Sequence, residues 1–228
     1  ITSAYFINMT DQLNNVYNGH NGQNGHSSKD VDVDNDEKYI FAPEILKTVF
    51  KLFSTKDSKL NGNVYDSKYL LRPLSYDDYD HNYIEVLRQL TECGVITREQ
   101  FVKRFNEMKQ CPDTYYVLIL EDLHTNLIIG TATFVCERKF IRQLGLRGRI
   151  EDVVIDNTYR GQNLGKLLIE ILTTLSSLRG CYKISLECKD HLVKFYQQFG
   201  YNHEDKQNFL CQRFKNLSTS CTEQKSQQ

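Results

Sequence analysis

Residues 150–168 read IEDVVIDNTYRGQNLGKLL: an apolar strand, a short turn holding Arg160, Gly161, Asn163 and Gly165, and then an amphipathic helix. Glycine-rich backbone at a helix N-terminus offers free N–H groups and the positive end of the helix dipole, which together form an anion site suited to a pyrophosphate. The phosphate-loop pattern GxxxxGK[ST] is not met, because Gly161 to Gly165 is one residue too short and Leu167 stands where the hydroxyl belongs. The dinucleotide fingerprint GxGxxG is absent as well. A strand–turn–helix with glycine at the turn is also common in α/β proteins without such a role.

Downstream, helix 163–178 stops at Gly180, followed by a strand at 181–188, a short helix at 191–199 ending at Gly200, and a final strand at 208–214. Upstream, strands are expected at 64–74, ending at Pro73, at 114–122 and 127–140, joined by a turn through His124 and Asn126, and at 149–156. A helix over 77–93 would put Tyr83, Val86, Leu87 and Leu90 on one side and end at Gly94. Thr97 and Gln100 form a capping box for helix 97–110, with Phe101, Phe105 and Met108 on its inner face and Pro112 closing the segment. A hairpin followed by strand–helix–strand implies an α/β fold with a mixed central β-sheet flanked by helices.

Residues 39–53 carry Ile45, Leu46, Val49, Phe50 and Phe53 at helical spacing. Such a stripe needs a partner surface: its own domain, a second subunit, or a weak anchor on a membrane or another protein. A polar linker at 54–63 follows. The chain divides into a disordered Asn/Asp/Gly-rich leader (1–36), the helix with its linker (37–63), a working domain (64–216) and a polar tail (217–228). Asp30, Asp32 and Asp34 start like a calcium loop, but Asn35 and Phe41 replace the required Gly and Glu, so a solvated acidic run is the better reading. Met9 is the expected start of translation.

The 28 basic and 29 acidic residues nearly cancel, leaving no global field for nucleic acid, and no apolar run is long enough for stable membrane insertion. The cations are nevertheless concentrated: Arg138, Lys139, Arg142, Arg147 and Arg149 lie close in sequence, with Lys183 and Arg213 on later elements. That suits a small anionic ligand or, equally, a solvated basic hairpin. Seven cysteines, an odd number without a CxxC pair, argue against a disulfide framework and a structural zinc site. With no signal peptide, a reducing, cytoplasmic location is expected.

RGQNLGKLL resembles the acyl-CoA loop of the GNAT acetyltransferase superfamily, with Asn163 where Gly is usual. RPL, the TECG turn at 91–94, ERKFI, GLRGRIEDVVID, GCYKISLEC and VKFYQQFGY extend the likeness, in order and spacing, to the glucosamine-6-phosphate N-acetyltransferase family of eukaryotes, from about Leu70 to Phe214. The resemblance implies a homodimer without a metal. It would transfer acetyl from acetyl-CoA to the 2-amino group of glucosamine 6-phosphate in a ternary complex, toward UDP-N-acetylglucosamine. It also implies donor contacts from Val153, Val154 and Ile155 and a pyrophosphate cradle of Arg160, Gly161, Gln162, Asn163, Leu164, Gly165 and Lys166. Sugar contacts would come from Thr91, Lys139, Phe140, Ile141, Arg142, Glu151, Asp152, Tyr182, Lys183 and Arg213, some acting across the subunit boundary. Arg142 stands where the family usually has His.

Acetyl transfer needs a neutral amine, a donor toward the carbonyl oxygen and a group to meet the departing thiolate. Glu151 and Asp152, at the strand entering the site, are candidates to take a proton or orient the amine, and a backbone N–H near Val153 is the candidate carbonyl donor. By resemblance, Tyr196 faces the departing sulfur and Glu187 lies at the transfer site. Nucleophilic catalysis by Cys181 or Cys188 is disfavoured, since only His191 is near in sequence. The competing functions are transfer to a polyamine or protein lysine, which would favour an acidic groove, and a CoA-binding protein without turnover.

Overall fold

In the computed structural model, residues 38–55 and 68–214 are described, the side chains of 53–55 excepted. The leader, nearly all of the linker and the tail lie outside them. Chain order gives α1 (Glu44–Thr55), β1 (Tyr69–Pro73), a 3-10 turn (Tyr76–His81), α2 (Tyr83–Arg88), α3 (Arg98–Lys109), β2 (Tyr115–Asp122) and β3 (Leu127–Arg138). After a tight turn at Ile141–Leu144 come β4 (Leu146–Ile155), a 3-10 turn (Asn157–Tyr159), α4 (Leu164–Leu178), β5 (Cys181–Leu186), a further 3-10 turn (Asp190–Leu192) and α5 (Val193–Gln197).

The strands form one sheet in the order β1-β2-β3-β4-β5. The first three pairings are antiparallel and β4 with β5 is parallel. The parallel pair follows from α4, which supplies the crossover that such a pair requires. This is the mixed, helix-flanked sheet expected from the sequence. Its core on one face gathers Leu167, Leu168, Ile171, Leu172 and Leu175 of α4 with Leu118, Leu120 and Phe134 of the sheet. The opposite face buries Val86 of α2 and Phe101 and Phe105 of α3. Gly148 lets the layers close: a Cβ there would stand 2.6 Å from Ser176 Oγ and 2.8 Å from Phe134 Cε2.

Leu46, Val49 and Phe50 of α1 are fully buried in the main core, so this stripe packs on its own domain rather than on a membrane. The helix starts at Glu44, not at 39, because Tyr39 makes an isolated bridge to Ser75 and Ile40 donates to the Leu74 carbonyl at 2.9 Å. The expected helix over 77–93 is interrupted. Asn82 sits in the left-handed region at φ 73°, dividing a 3-10 turn capped by Ser75 and Asp78 from the short α2. In α3 the Thr97–Gln100 capping box is present with both reciprocal bonds. Between β3 and β4 the basic segment makes a tight turn at Ile141–Leu144, and β4 begins at Leu146 rather than at 149, so it carries both Arg147 and Arg149. No strand forms at 208–214, where Phe209, Leu210 and Phe214 are exposed.

Arg72, from the RPL stretch, is a structural anchor. Its guanidinium makes a bidentate pair with Asp78 at 2.8 Å for each bond, and Nε donates to Glu121 at 2.7 Å. Burial opposes the charge, but these carboxylates hold the Arg72 pKa above its ordinary value.

Candidate active site

The site begins where two parallel strands part. Pairing of β4 with β5 ends at Ile150↔Leu186, while β4 continues to Ile155. Past that point the backbone of 151–155 loses its neighbour on the β5 side. On the β3 side the register shifts: Thr133 faces Glu151 and Thr131 faces Val154, so Asp152 and Val153 bulge out opposite Ala132. Asp152 occupies the left-handed region at φ 54°, a conformation that costs a non-glycine residue about 1–2 kcal/mol and recurs at functional sites. Backbone amides and carbonyls freed from a ladder are able to pair with an extended ligand lying between the strands.

The strand delivers the chain into the glycine-rich turn and α4. Gly161 at φ 80° and Asn163 at φ 59° are both left-handed, so the Asn in the family's Gly position adopts the backbone that Gly would. A Cβ at Gly161 would meet nothing within 4 Å, leaving the loop open to a ligand. Asn163 is the N-cap of the fifteen-residue α4 without a side-chain cap bond, so the first-turn N–H groups are not consumed by a capping side chain. At Gly165 a Cβ would lie 3.7 Å from Ile155 Cγ1 and 4.0 Å from Phe195 Cζ, which brings the end of β4, the start of α4 and α5 together.

Three contacts that the sequence did not reveal hold the loop. Tyr69 on β1 donates its hydroxyl to Gln162 Oε1 at 2.9 Å, and Tyr159 donates to the buried Asp122 at 2.8 Å. Gln89, at the end of α2, donates to Asp156 at 2.7 Å and accepts the Asn157 N–H at 2.8 Å. Burial works against ionisation of Asp156, yet Thr158, Gln89 and Arg160 bring its pKa below the usual carboxylate value. Each contact joins segments dozens of residues apart, so no local signal marks it.

Tyr196 on α5 is buried, its ring edge-on to Phe195 at 5.1 Å and to Tyr201 at 6.2 Å. With Leu186, Cys188 and Phe199 it lines a cavity of about 670 Å³ beside β5. Burial, reinforced by Cys188 and Tyr201, pushes its phenol pKa up, so the proton is retained at neutral pH. Glu187 lies just beyond β5. Arg149 bridges it to Glu151, at 2.9 Å and 3.0 Å. Glu151 and Asp152 border a second cavity of about 680 Å³, toward α2 and α3, which Tyr83 also lines. Desolvation raises the Asp152 carboxyl pKa, and burial together with Asp152 raises that of the Tyr83 phenol.

The candidate sugar residues fall into separate groups. Glu151 and Asp152 stand at the splayed end of β4, and Thr91 is exposed beyond α2, two residues from Gln89. Lys139, Phe140, Ile141 and Arg142 occupy the β3–β4 turn, where Arg142 lies over the Tyr182 ring at 5.8 Å. Lys183 pairs in register with Arg147, and at about 3.3 Å per residue that end of β4 is roughly 17–20 Å from Asp152. Most of the basic cluster is already engaged: Lys139 and Arg147 with Glu137, Arg149 with Glu151 and Glu187, and Lys183 with Glu204. Arg138 is held by neutral partners, the Thr114 hydroxyl and the Pro112 carbonyl, and Arg142 by the Tyr182 ring. Among the described residues no group of three His, Cys, Asp or Glu forms a metal site.

The profile of the acetyltransferase (GNAT) family matches residues 80–201. A probable glucosamine 6-phosphate N-acetyltransferase of Drosophila melanogaster is 50% identical over 131 residues, 58% of this chain and 59% of the relative. Glucosamine 6-phosphate N-acetyltransferase 1 of Dictyostelium discoideum is 46% identical over 136 residues, 60% of this chain and 86% of the relative. The solved glucosamine-6-phosphate N-acetyltransferase of Arabidopsis thaliana superposes with a TM-score of 0.62 at 33% identity, covering 64% of this chain and 99% of that one.

Proposed function

The chain belongs to the acetyltransferase (GNAT) family, and from that premise we propose that it moves acetyl from acetyl-CoA to the 2-amino group of glucosamine 6-phosphate. The parting of β4 from β5 beyond Ile150 and Leu186, directly ahead of an open Gly161 loop and an uncapped α4, carries the donor half of this reading. The acceptor half is supported by the activity in the names of the Drosophila and Dictyostelium relatives.

Acetyl-CoA, when bound, supplies a thioester carbonyl activated toward an amine. Val153, Val154 and Ile155 would pair their backbone with the pantetheine arm. Residues 160–166 would take the pyrophosphate on loop N–H groups, the α4 dipole and Lys166. The Val153 N–H, outside the regular ladder at the bulge, would stabilise negative charge growing on the carbonyl oxygen. Asp152 would accept the amine proton, helped by the desolvation that makes its carboxylate more basic. Glu151 and Glu187, linked through Arg149, would orient the amine. Tyr196, still protonated at neutral pH, would donate to the sulfur as it leaves. Transfer is direct: Cys188 is exposed, and its thiol pKa is raised by burial of the sulfur and by Asp190, so it is a poor thiolate.

The enzyme is proposed to act as a homodimer, its working domain spanning 64–216 with α1 packed into the same core. Phe140, Ile141 and Leu144 are largely exposed on one turn and Phe209, Leu210 and Phe214 on the final segment, an amount of apolar surface that a second copy would cover. Thr91, Lys139, Phe140, Ile141, Arg142, Tyr182, Lys183 and Arg213 would then bind the sugar phosphate partly across the boundary. No helix among the described residues is long and apolar enough to cross a membrane, and the six free thiols among those residues favour a reducing, cytoplasmic setting. Incubation with both substrates should convert glucosamine 6-phosphate to a product heavier by one acetyl group on mass spectrometry. Recovery of unmodified sugar contradicts the reading.

A further inference from the structure

We propose that Gln89 is a positioning residue for the donor loop, fixing residues 156–158 so that the turn they lead into, 160–166, is set to receive the pyrophosphate, and tying that loop to the acceptor side of the domain. The proposal rests on the reading of this loop as the acetyl-CoA site. Gln89 ends α2, and both ends of its amide reach the loop: Nε2 to Asp156 Oδ2 and Oε1 to the Asn157 N–H. The other Asp156 oxygen accepts the Thr158 N–H at 2.9 Å and the Thr158 hydroxyl at 2.6 Å. The Asp156 N–H is bound to the Ile129 carbonyl at 2.8 Å.

The chemistry explains why such a clamp is needed. A carboxylate beside a loop that binds phosphate is a competitor, because it seeks the same N–H donors and repels the same anion. With both oxygens supplied by Gln89 and Thr158, Asp156 organises the turn without capping the N–H groups farther along. The same helix end carries Thr91, whose N–H donates to Leu87 at 3.2 Å, so one side chain links the donor loop to the turn on the acceptor side.

The test is steady-state kinetics on the full chain, with CoA binding by calorimetry and thermal melting in parallel. Gln89→Ala should raise the acetyl-CoA KM and the CoA Kd about five- to tenfold, with kcat within twofold and the melting temperature little changed. Gln89→Glu places two carboxylates together without a donor and should be worse than Ala. Adding Asp156→Asn to Gln89→Glu reverses donor and acceptor and should recover most of the lost affinity. Unchanged KM and Kd in both single variants, or no recovery in the double variant, overturns the proposal. A wild-type chain that binds no CoA overturns the donor-site reading itself, and this inference with it.

Discussion

The Tyr69 hydroxyl on β1 donates to Gln162 Oε1 at 2.9 Å, joining the first strand of the sheet to the loop before α4. Lys68 lies over the Tyr69 and Tyr159 rings, at 5.0 and 5.6 Å, and 3.9 Å from Asp122, which accepts from Tyr159. The loop is thus held from the β1–β2 side as well as by Gln89. Tyr69→Phe removes one half-exposed hydrogen bond, worth about 0.5–1.5 kcal/mol. The acetyl-CoA KM should rise about two- to tenfold while the KM for the sugar phosphate stays constant.

Tyr196→Phe separates leaving-group assistance from binding. Turnover should fall by about 10²-fold, in the range for a positioned proton donor, while CoA affinity changes little. Calorimetry and single-turnover rates measure the two effects, and an unchanged turnover number removes Tyr196 from the chemistry. Burial, Cys188 and Tyr201 raise the Tyr196 pKa in the folded state. Its contribution to stability is therefore complete below the unfolded phenol value of about 10 and is lost as the pH rises through the folded value.

Asp152→Asn should gain stability and lose activity. The folded carboxyl pKa is raised by desolvation, so at neutral pH the wild type holds an ionised group in a site that disfavours it. The variant's advantage in urea melts should be largest above the folded pKa and vanish below the unfolded value of about 3.9, where both chains are neutral at this position. A turnover loss of about 10²-fold should accompany the gain.

Arg72→Ala should cost about 3–5 kcal/mol in denaturant unfolding, because it leaves the buried Asp78 carboxylate without its bidentate partner. Arg72→Lys recovers only part of this, since an ammonium cannot reproduce the fork geometry toward Asp78 and Glu121. Activity per folded molecule should be unaffected.

What could be read from the sequence follows the range of the forces involved. The Thr97–Gln100 box, the α4 stripe and the turn from Arg160 to Gly165 are local patterns, and all three stand in the structure. The break at Asn82 was hidden within an apolar periodicity that continues across it. Residues 208–214 have strand-like composition, but a strand forms only where an edge receives it, and composition does not say which edge. In the site, Asp152 and the Gly161 loop were visible as residue types in order. The clamps of Gln89, Tyr69 and Asp122 depend on partners brought close only by the finished sheet. The density of Arg and Lys at 138–149 suggested free positive charge, whereas Glu137, Glu151 and Glu187 engage much of it.

An acetyltransferase that recognises the phosphate of its amino sugar must distinguish glucosamine 6-phosphate from glucosamine. Thiol release from acetyl-CoA, followed with the two sugars at equal concentration, measures that distinction. Release should be rapid with the phosphorylated sugar and little above background without the phosphate. Equal rates with the two sugars, or no release with either, would contradict the proposed function.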